Sequence, residues 1–312
     1  MFVDFVSNLK IVAVQVLVLY LIAAVGFVAD KTKIFRQADG KKLIDLVFNM
    51  ILPVAIIKSF VSMERTPEHI RGLLVAFALA LLTHLLGIAV SAVTFKKRSL
   101  CEQGIYHYAM TFSNAAFLAL PLAQSVVGEE GVFYSSCYVA VFNILAFTYG
   151  IRQISGKTAE INIKHIIFNP GSISVIIGIP LFLLQPKLPF FVGETMTRIA
   201  ACNSPLAMIL FGTFFANCNF KNLFLKKEVY FVSFIRLIFI PLTMLLVFRL
   251  MGIRGNMLTA LTVSASAPVA TNTAMYAAKY DNDTALSSEL VGQSSVLGVI
   301  TMPVIVALAE II

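Results

Sequence analysis

The 312-residue chain is 59% hydrophobic and 13% charged, whereas soluble domains carry about 25% charged residues. This composition excludes a soluble globular protein and indicates a polytopic membrane protein. The net charge of +8 does not indicate nucleic-acid binding, because the basic residues cluster in short loops between apolar segments. The four cysteines form no Cys-x-x-Cys pair and show no metal-ligand spacing, so we expect neither a metal nor a cofactor.

Apolar windows predict ten membrane-spanning helices, each near the length of about 20 residues that a bilayer requires. They run near residues 10–28, 43–62, 72–94, 105–127, 131–151, 170–186, 196–217, 229–250, 256–278 and 286–311. The first window lacks a basic segment before it and a cleavage site after it, so we interpret it as a span and not as a signal peptide. The chain is therefore expected to be an all-α, multi-pass membrane protein.

The 24 lysines and arginines are distributed unequally over this predicted topology. Most of them lie in the loops that follow the odd-numbered spans. Cytoplasmic loops of membrane proteins carry an excess of lysine and arginine. We therefore predict that these loops face the cytoplasm, that both termini lie outside, and that the protein resides in the cell membrane, meaning the inner or plasma membrane.

Two predicted spans carry proline and polar side chains near their centres. The fourth contains Asn114 and Pro121, and the ninth contains Pro268 followed by Thr271 and Asn272. Proline has no N–H and clashes with the carbonyl four residues earlier in a helix. Because a broken helix persists at membrane depth only where protein or a water-filled cavity surrounds it, we predict two broken helices. Interrupted spans at corresponding positions in two halves indicate a transporter's binding site.

The ten spans divide into two halves of five. The predicted units are a first repeat of residues 1–152, a cytoplasmic linker of residues 153–165 and a second repeat of residues 166–312. Pro53 and Pro205 occupy corresponding positions in the two halves, as do Pro121 and Pro268. Because five is odd, the second half enters the membrane in the opposite direction. The prediction is ten transmembrane helices as two inverted five-helix repeats with crossing broken helices.

The candidate substrate-binding residues are the two crossover prolines and the polar residues of the broken or adjacent spans. They are Asn114, Pro121, Asn143, Pro268, Thr271, Asn272 and Gln293. Asn114 is the first candidate for direct contact, although an interhelical hydrogen bond is an alternative role for its amide. The two prolines are expected to produce the breaks and not to touch substrate. Half-helices that begin at the breaks point N–H groups inward and favour an anion.

Two ionisable residues lie inside predicted spans. His84, in the third span, is either a hydrogen-bonded packing residue or a proton-coupling group. Arg236 is the only basic residue deep within a predicted span.

The segment NAAFLALPLA, residues 114–123, resembles the fourth span of the auxin efflux carrier family. That family includes plant PIN-type exporters and bacterial permeases of malate or malonate. The run after Ala267, with the tripeptide AKY at 278–280 and a small polar stretch leading to Pro303, is similar to its ninth and tenth spans. The resemblance implies a fold like that of bile-acid symporters and sodium/proton antiporters. It also implies an elevator-type carrier, usually dimeric, with spans one, two, six and seven as the scaffold.

These observations predict a secondary carrier of small organic anions such as malate, malonate or related carboxylates, and not an enzyme. Its expected partners are the anion and membrane lipid, with a homodimer and a coupled proton or sodium ion as further candidates. Two alternatives are a cation/proton antiporter on a similar fold and a membrane-embedded enzyme. The first requires buried carboxylates at the crossover, and the second requires motifs such as His-Glu-x-x-His, which the sequence lacks.

Overall fold

The computed structural model describes residues 2–36, 40–156, 168–217 and 224–312, and these parts of the chain are mostly helical. In chain order the helices are α1 (Phe2–Lys31), α2 (Gly40–Leu46), α3 (Leu52–Ser62), α4 (Pro67–Val93), α5 (Leu100–Thr111), α6 (Leu120–Val127), α7 (Glu129–Leu145), α8 (Ile151–Ile154), α9 (Pro170–Leu184), α10 (Phe190–Ala201), α11 (Asn203–Ala216), α12 (Lys227–Phe234), α13 (Ile240–Leu250), α14 (Gly255–Ser266), α15 (Asn272–Lys279) and α16 (Thr284–Ile311). Five-residue π-helical turns join α2 to α3, α7 to α8 and α12 to α13, and a fourth such turn, Ala115–Ala119, leads into α6.

Within the described residues, seven helical segments are long and apolar enough to cross a membrane. They are Leu9–Lys31, Lys42–Ser62, Pro67–Val93, Glu129–Ile154, Phe190–Ala216, Lys227–Leu250 and Thr284–Ile311. Two shorter apolar helices are Ala115–Val127 and Pro170–Leu184. The protein is therefore an all-helical, multi-pass membrane protein in its described parts. The predicted linker 153–165 overlaps the end of α8, and its residues 157–165 lie outside the described segments.

Three prolines follow a π-helical turn instead of breaking a helix. The turns Val47–Ile51, Ala115–Ala119 and Ile235–Phe239 end two residues before Pro53, Pro121 and Pro241, respectively. In each case the residue before the proline donates its N–H to the carbonyl five residues back. A regular α-helix would place the proline ring against the carbonyl four residues back. The wider turn lets the helix continue past the proline.

The prediction that Pro121 breaks the fourth span is therefore wrong in position. The helix ends at Thr111 and resumes at Ala115, so the break lies at residues 112–114, ahead of the proline. Pro121 instead sits in the first turn of α6, buried and helical. The second break agrees with the prediction, because Pro268 lies between the end of α14 and the start of α15.

The two breaks lie against each other as short extended segments. Ser113 and Val269 form an isolated antiparallel bridge. On its two sides, Asn114 N–H donates to the carbonyl of Pro268 at 2.8 Å, and Ala270 N–H donates to that of Phe112 at 3.0 Å. Each broken segment therefore supplies hydrogen-bond partners that the other lost when its helix ended.

Close helix packing surrounds this crossing. α1 lies along α11 with two glycines at the contact. A Cβ atom at Gly26 would lie 2.0 Å from the carbonyl oxygen of Ile209, and one at Gly212 would lie 1.8 Å from that of Ala23. Small residues allow such backbone approach between membrane helices. α9 packs against α3 in the same way, with Gly178 facing the ring of Phe60.

We expect Gly212→Leu to destabilise the protein, because its side chain would displace the backbone of α1. Overpacking a close contact costs about 1–3 kcal/mol and often more where backbone must move. The measurement is the thermal unfolding midpoint of the purified protein, followed by circular dichroism. Gly193→Leu is the matched control, because a Cβ at Gly193 meets no atom within 4 Å. Equal midpoints for the two variants would contradict this packing.

Candidate functional site at the helix crossing

A cavity of about 220 Å³ adjoins the crossing. Its polar lining side chains include those of Asn49, Asn114, Asn143, Asn169, Thr271 and Asn272. Its large apolar and aromatic lining side chains include those of Phe48, Phe142, Phe147, Phe214, Met275 and Tyr276. Most ligand cavities measure about 300–1,000 Å³, so this one suits a small molecule with a few polar atoms and an apolar body.

Three helices begin at this cavity. They are the helical segment that starts at Ala115, α9 at Pro170 and α15 at Asn272, and all three starting residues line the cavity. The first N–H groups of a helix have no preceding turn to accept their hydrogen bonds. Together with the aligned peptide dipoles, they give each N-terminus roughly half a positive charge. The arrangement therefore favours a negatively charged ligand.

The sequence around the start of α9 explains its position. Asn169 is the N-cap, and its Oδ1 accepts a hydrogen bond from Gly171 N–H at 2.9 Å. Pro170 occupies the first helical position, where its missing N–H costs nothing. A Cβ at Gly171 would lie 2.6 Å from Nδ2 of Asn143. The absence of a side chain at Gly171 thus lets the helix start approach the Asn143 amide.

The positive character of the site comes from the backbone and not from basic side chains. Asp45 is the only charged residue among the described residues that line the cavity, and it is exposed. Asn49 and Met275 are exposed beside the same cavity. The cavity therefore reaches the protein surface beside α2 and α15.

Four of the predicted site residues meet at this cavity: Asn114, Asn143, Thr271 and Asn272. Asn114 is buried, and in the described part of the chain its Nδ2 has no hydrogen-bond partner. The alternative role of this amide nitrogen, an interhelical hydrogen bond, is therefore not observed. A buried amide that is left unpaired by the protein is available to a ligand.

The geometry agrees with the comparison to known proteins. A family model described as membrane transport protein matches residues 11–306. The chain belongs to this family. The resemblance to auxin efflux carriers, predicted from residues 114–123 and the run after Ala267, is confirmed. An uncharacterized transporter of Methanocaldococcus jannaschii is 26% identical over 281 residues, which cover 86% of this chain and 89% of the relative.

Family and relative both indicate a transporter and not an enzyme. Three predicted site residues of this transporter do not line the cavity. Pro121 is buried in α6. Pro268 packs against α16, where a Cβ atom added at Gly298 would lie 3.7 Å from the proline ring. Gln293 is buried in α16, and its Oε1 accepts a hydrogen bond from Ser233 at 2.8 Å.

His84 lies behind the crossing and not in the cavity. Its Nδ1 is 2.8 Å from the carbonyl oxygen of Ala80, one helical turn earlier. Its ring lies 4.7 Å from that of Tyr138 and 5.7 Å from that of Phe112. These contacts describe a packed, hydrogen-bonded histidine.

Sequence reasoning did not assign Asn49 and Asn169 to the site. The signal for Asn169 was present, because Asn-Pro is a typical start of a helix, with asparagine as N-cap and proline next. The asparagine ahead of Pro53 was used only to support the repeat. Its place beside the cavity depends on how α3 packs against α7 and α2 against α11, which no local pattern shows.

We expect Gly171→Ala to lower transport several-fold with little loss of stability, because the atom in its way is the mobile end of the Asn143 side chain. Initial transport rates in proteoliposomes measure the effect. Gly193→Ala is the control for a helical glycine with open space around it. Combined with Asn143→Ala, Gly171→Ala should cause no further loss, since coupled sites are not additive. Fully additive losses would contradict the contact.

Proposed function

We propose that this transporter is a secondary carrier of small organic anions. Support comes from one observation: three helix N-termini meet at a cavity whose described lining contains no lysine or arginine. Backbone amides and side-chain amides hold a carboxylate less tightly than a buried arginine fork does. Weak binding suits a carrier, which must release its substrate on the other side.

The lining supports a monocarboxylate with an apolar body more strongly than malate or malonate. One carboxylate would bind at the helix N-termini, and the remainder of the molecule would lie against Phe48, Phe142 and Phe147, whose rings line the cavity. A second carboxylate would lie against these rings, and a buried unpaired charge costs several kcal/mol. Malate and malonate therefore serve as the dicarboxylates to compare with a short monocarboxylate such as butyrate.

The carrier is proposed to have ten spans in two inverted repeats. In this proposal the seven long segments, α9 and the two broken helices would each cross the membrane once, which makes ten crossings. The broken helices stand fourth and ninth in this order, which is the same position in each half. The close pairs α1 with α11 and α3 with α9 support a scaffold of spans one, two, six and seven. The cavity lies between this scaffold and the remaining helices, as an elevator-type carrier requires.

We further propose that the structure is the inward-open state in the cell membrane. Support comes from the exposed lining residue Asp45, which follows the lysine-rich loop after the first span, a loop that the positive-inside rule assigns to the cytoplasm. On the opposite side, Lys58 Nζ in α3 lies 2.5 Å from Glu129 Oε1 at the start of α7. This ion pair joins the proposed scaffold to the proposed mobile part and helps to close the outer side.

Reversing either charge of this pair should lower the transport rate about two- to fivefold, because a partly exposed ion pair contributes about 0.2–1 kcal/mol. Lys58→Glu and Glu129→Lys are the single variants, and the double exchange should restore most of the rate. The measurement is anion transport into proteoliposomes at low and high salt, since salt screens such a pair. A transport rate of the double-exchange protein no higher than those of the single variants would contradict a role of this ion pair in closing the outer side.

The proposed function is tested by a substrate screen in proteoliposomes with an imposed membrane potential. An outgoing anion gains about 2.3 kcal/mol per charge for every 100 mV of inside-negative potential. We expect the protein to transport butyrate in preference to malate and malonate. We expect no transport of butyramide, the neutral amide of butyrate. Repeating the screen with and without a pH gradient separates simple anion transport from proton coupling.

Asn114→Ala should lower the rate about ten- to hundredfold, because a hydrogen bond to a charged group contributes about 1.5–3 kcal/mol. Asn256→Ala is the matched control, because Asn256 is exposed and bonds to Glu130 away from the cavity. Equal rates for wild type and Asn114→Ala would contradict the site. Movement of Na⁺ or protons without any anion would favour an antiporter instead.

A further inference from the structure

A buried arginine holds the end of α14 where this helix reaches the crossing. Arg236 lies in the π-helical turn Ile235–Phe239, and its side chain is fully buried. Its Nε donates to the carbonyl oxygen of Ala267 at 3.1 Å, and its Nη2 donates to that of Ala265. These carbonyls stand at the C-terminal end of α14, where no further helical turn supplies N–H groups.

The same guanidinium is linked to the other broken segment. The hydroxyl of Tyr138 in α7 lies next to it. Ser113 Oγ donates to that hydroxyl at 3.5 Å, and Ser113 is the residue that bridges to Val269 at the crossing. Arg236 therefore contacts one broken segment directly and reaches the other through a single side chain.

Backbone dipoles compensate the charge of this arginine. The ion pairs found in the described part of the chain all involve other residues. The C-terminus of a helix carries roughly half a negative charge, which stabilises a cation. In carriers with discontinuous helices, unwound carbonyls and half-helix C-terminal ends coordinate the transported Na⁺. In this protein the guanidinium of Arg236 binds the corresponding carbonyl groups, those of Ala265 and Ala267.

We infer that Arg236 is a permanent cation that replaces a coupled sodium ion at the crossing. It acts as a positioning residue, because it fixes the end of α14 and, through Tyr138, the pairing of the two broken segments. An arginine stays protonated in proteins and cannot leave with the substrate. Resting on the proposed function, the inference assigns anion transport that does not require Na⁺.

The test compares wild type, Arg236→Gln, Arg236→Lys and Arg249→Gln in NaCl and in choline chloride. Arg249→Gln is the matched control, since it makes the same change on the same membrane segment away from the crossing. One readout is the unfolding midpoint by circular dichroism, which requires no substrate. The other is butyrate transport in proteoliposomes.

Wild type and Arg249→Gln should give the same midpoint and rate in both salts. In choline chloride, Arg236→Gln should transport at least about tenfold more slowly, because hydrogen bonds from a charged group are lost. Sodium chloride should raise its midpoint and recover part of its rate, since Na⁺ can then bind the freed carbonyls. Arg236→Lys keeps the charge and should retain most of the rate without Na⁺.

A wild-type midpoint or rate that depends on Na⁺ would overturn the inference. So would Arg236→Gln protein that matches wild type in choline chloride, or that is impaired equally in both salts. Wild-type protein that moves no anion would contradict the proposed function instead. In that case the midpoints of the four proteins still decide the role of Arg236.

Discussion

A peptide group at membrane depth must find its hydrogen-bond partner within the protein, and the whole site follows from how this chain meets that requirement. Two helices stop midway, at Thr111 and at Ser266, and each resumes a few residues later. The groups freed at the stops pair across the crossing, between Asn114 and Pro268 and between Ala270 and Phe112. The groups freed at the restarts are N–H donors, and they face a cavity.

This arrangement supports the proposed binding of an anion in a cavity whose described lining has no basic side chain. Carbonyls at the end of α14 bond to the buried guanidinium of Arg236, so negative dipole ends are neutralised on one side of the crossing. The positive dipole ends of three helices remain on the other side. The crossing is thus polarised, and the aromatic rings around the amides support the proposal of a small anion with an apolar body.

Much of this arrangement could be predicted from the sequence. Hydropathy located the seven long spans of the described residues, and the polar residues around Pro268 located the second break, because both are local properties of the chain. The predicted break at Pro121 was wrong, because a π-helical turn accommodates a proline without a break. Whether such a turn forms depends on packing. Asn114 and Asn272 could be placed near a break from sequence. Their meeting with Asn143 and Asn169 required the tertiary contacts of α7 and α9.

The most direct test of the central claim is the response of individual backbone amides to an anion. Amide ¹H–¹⁵N NMR shifts of Ala116, Phe117, Thr271 and Asn272 can be followed while butyrate is added to the purified protein, with butyramide as the neutral comparison. The account predicts saturable shifts at these four amides with butyrate and none with butyramide. Equal responses to both compounds, or shifts confined to amides away from the crossing, would contradict it.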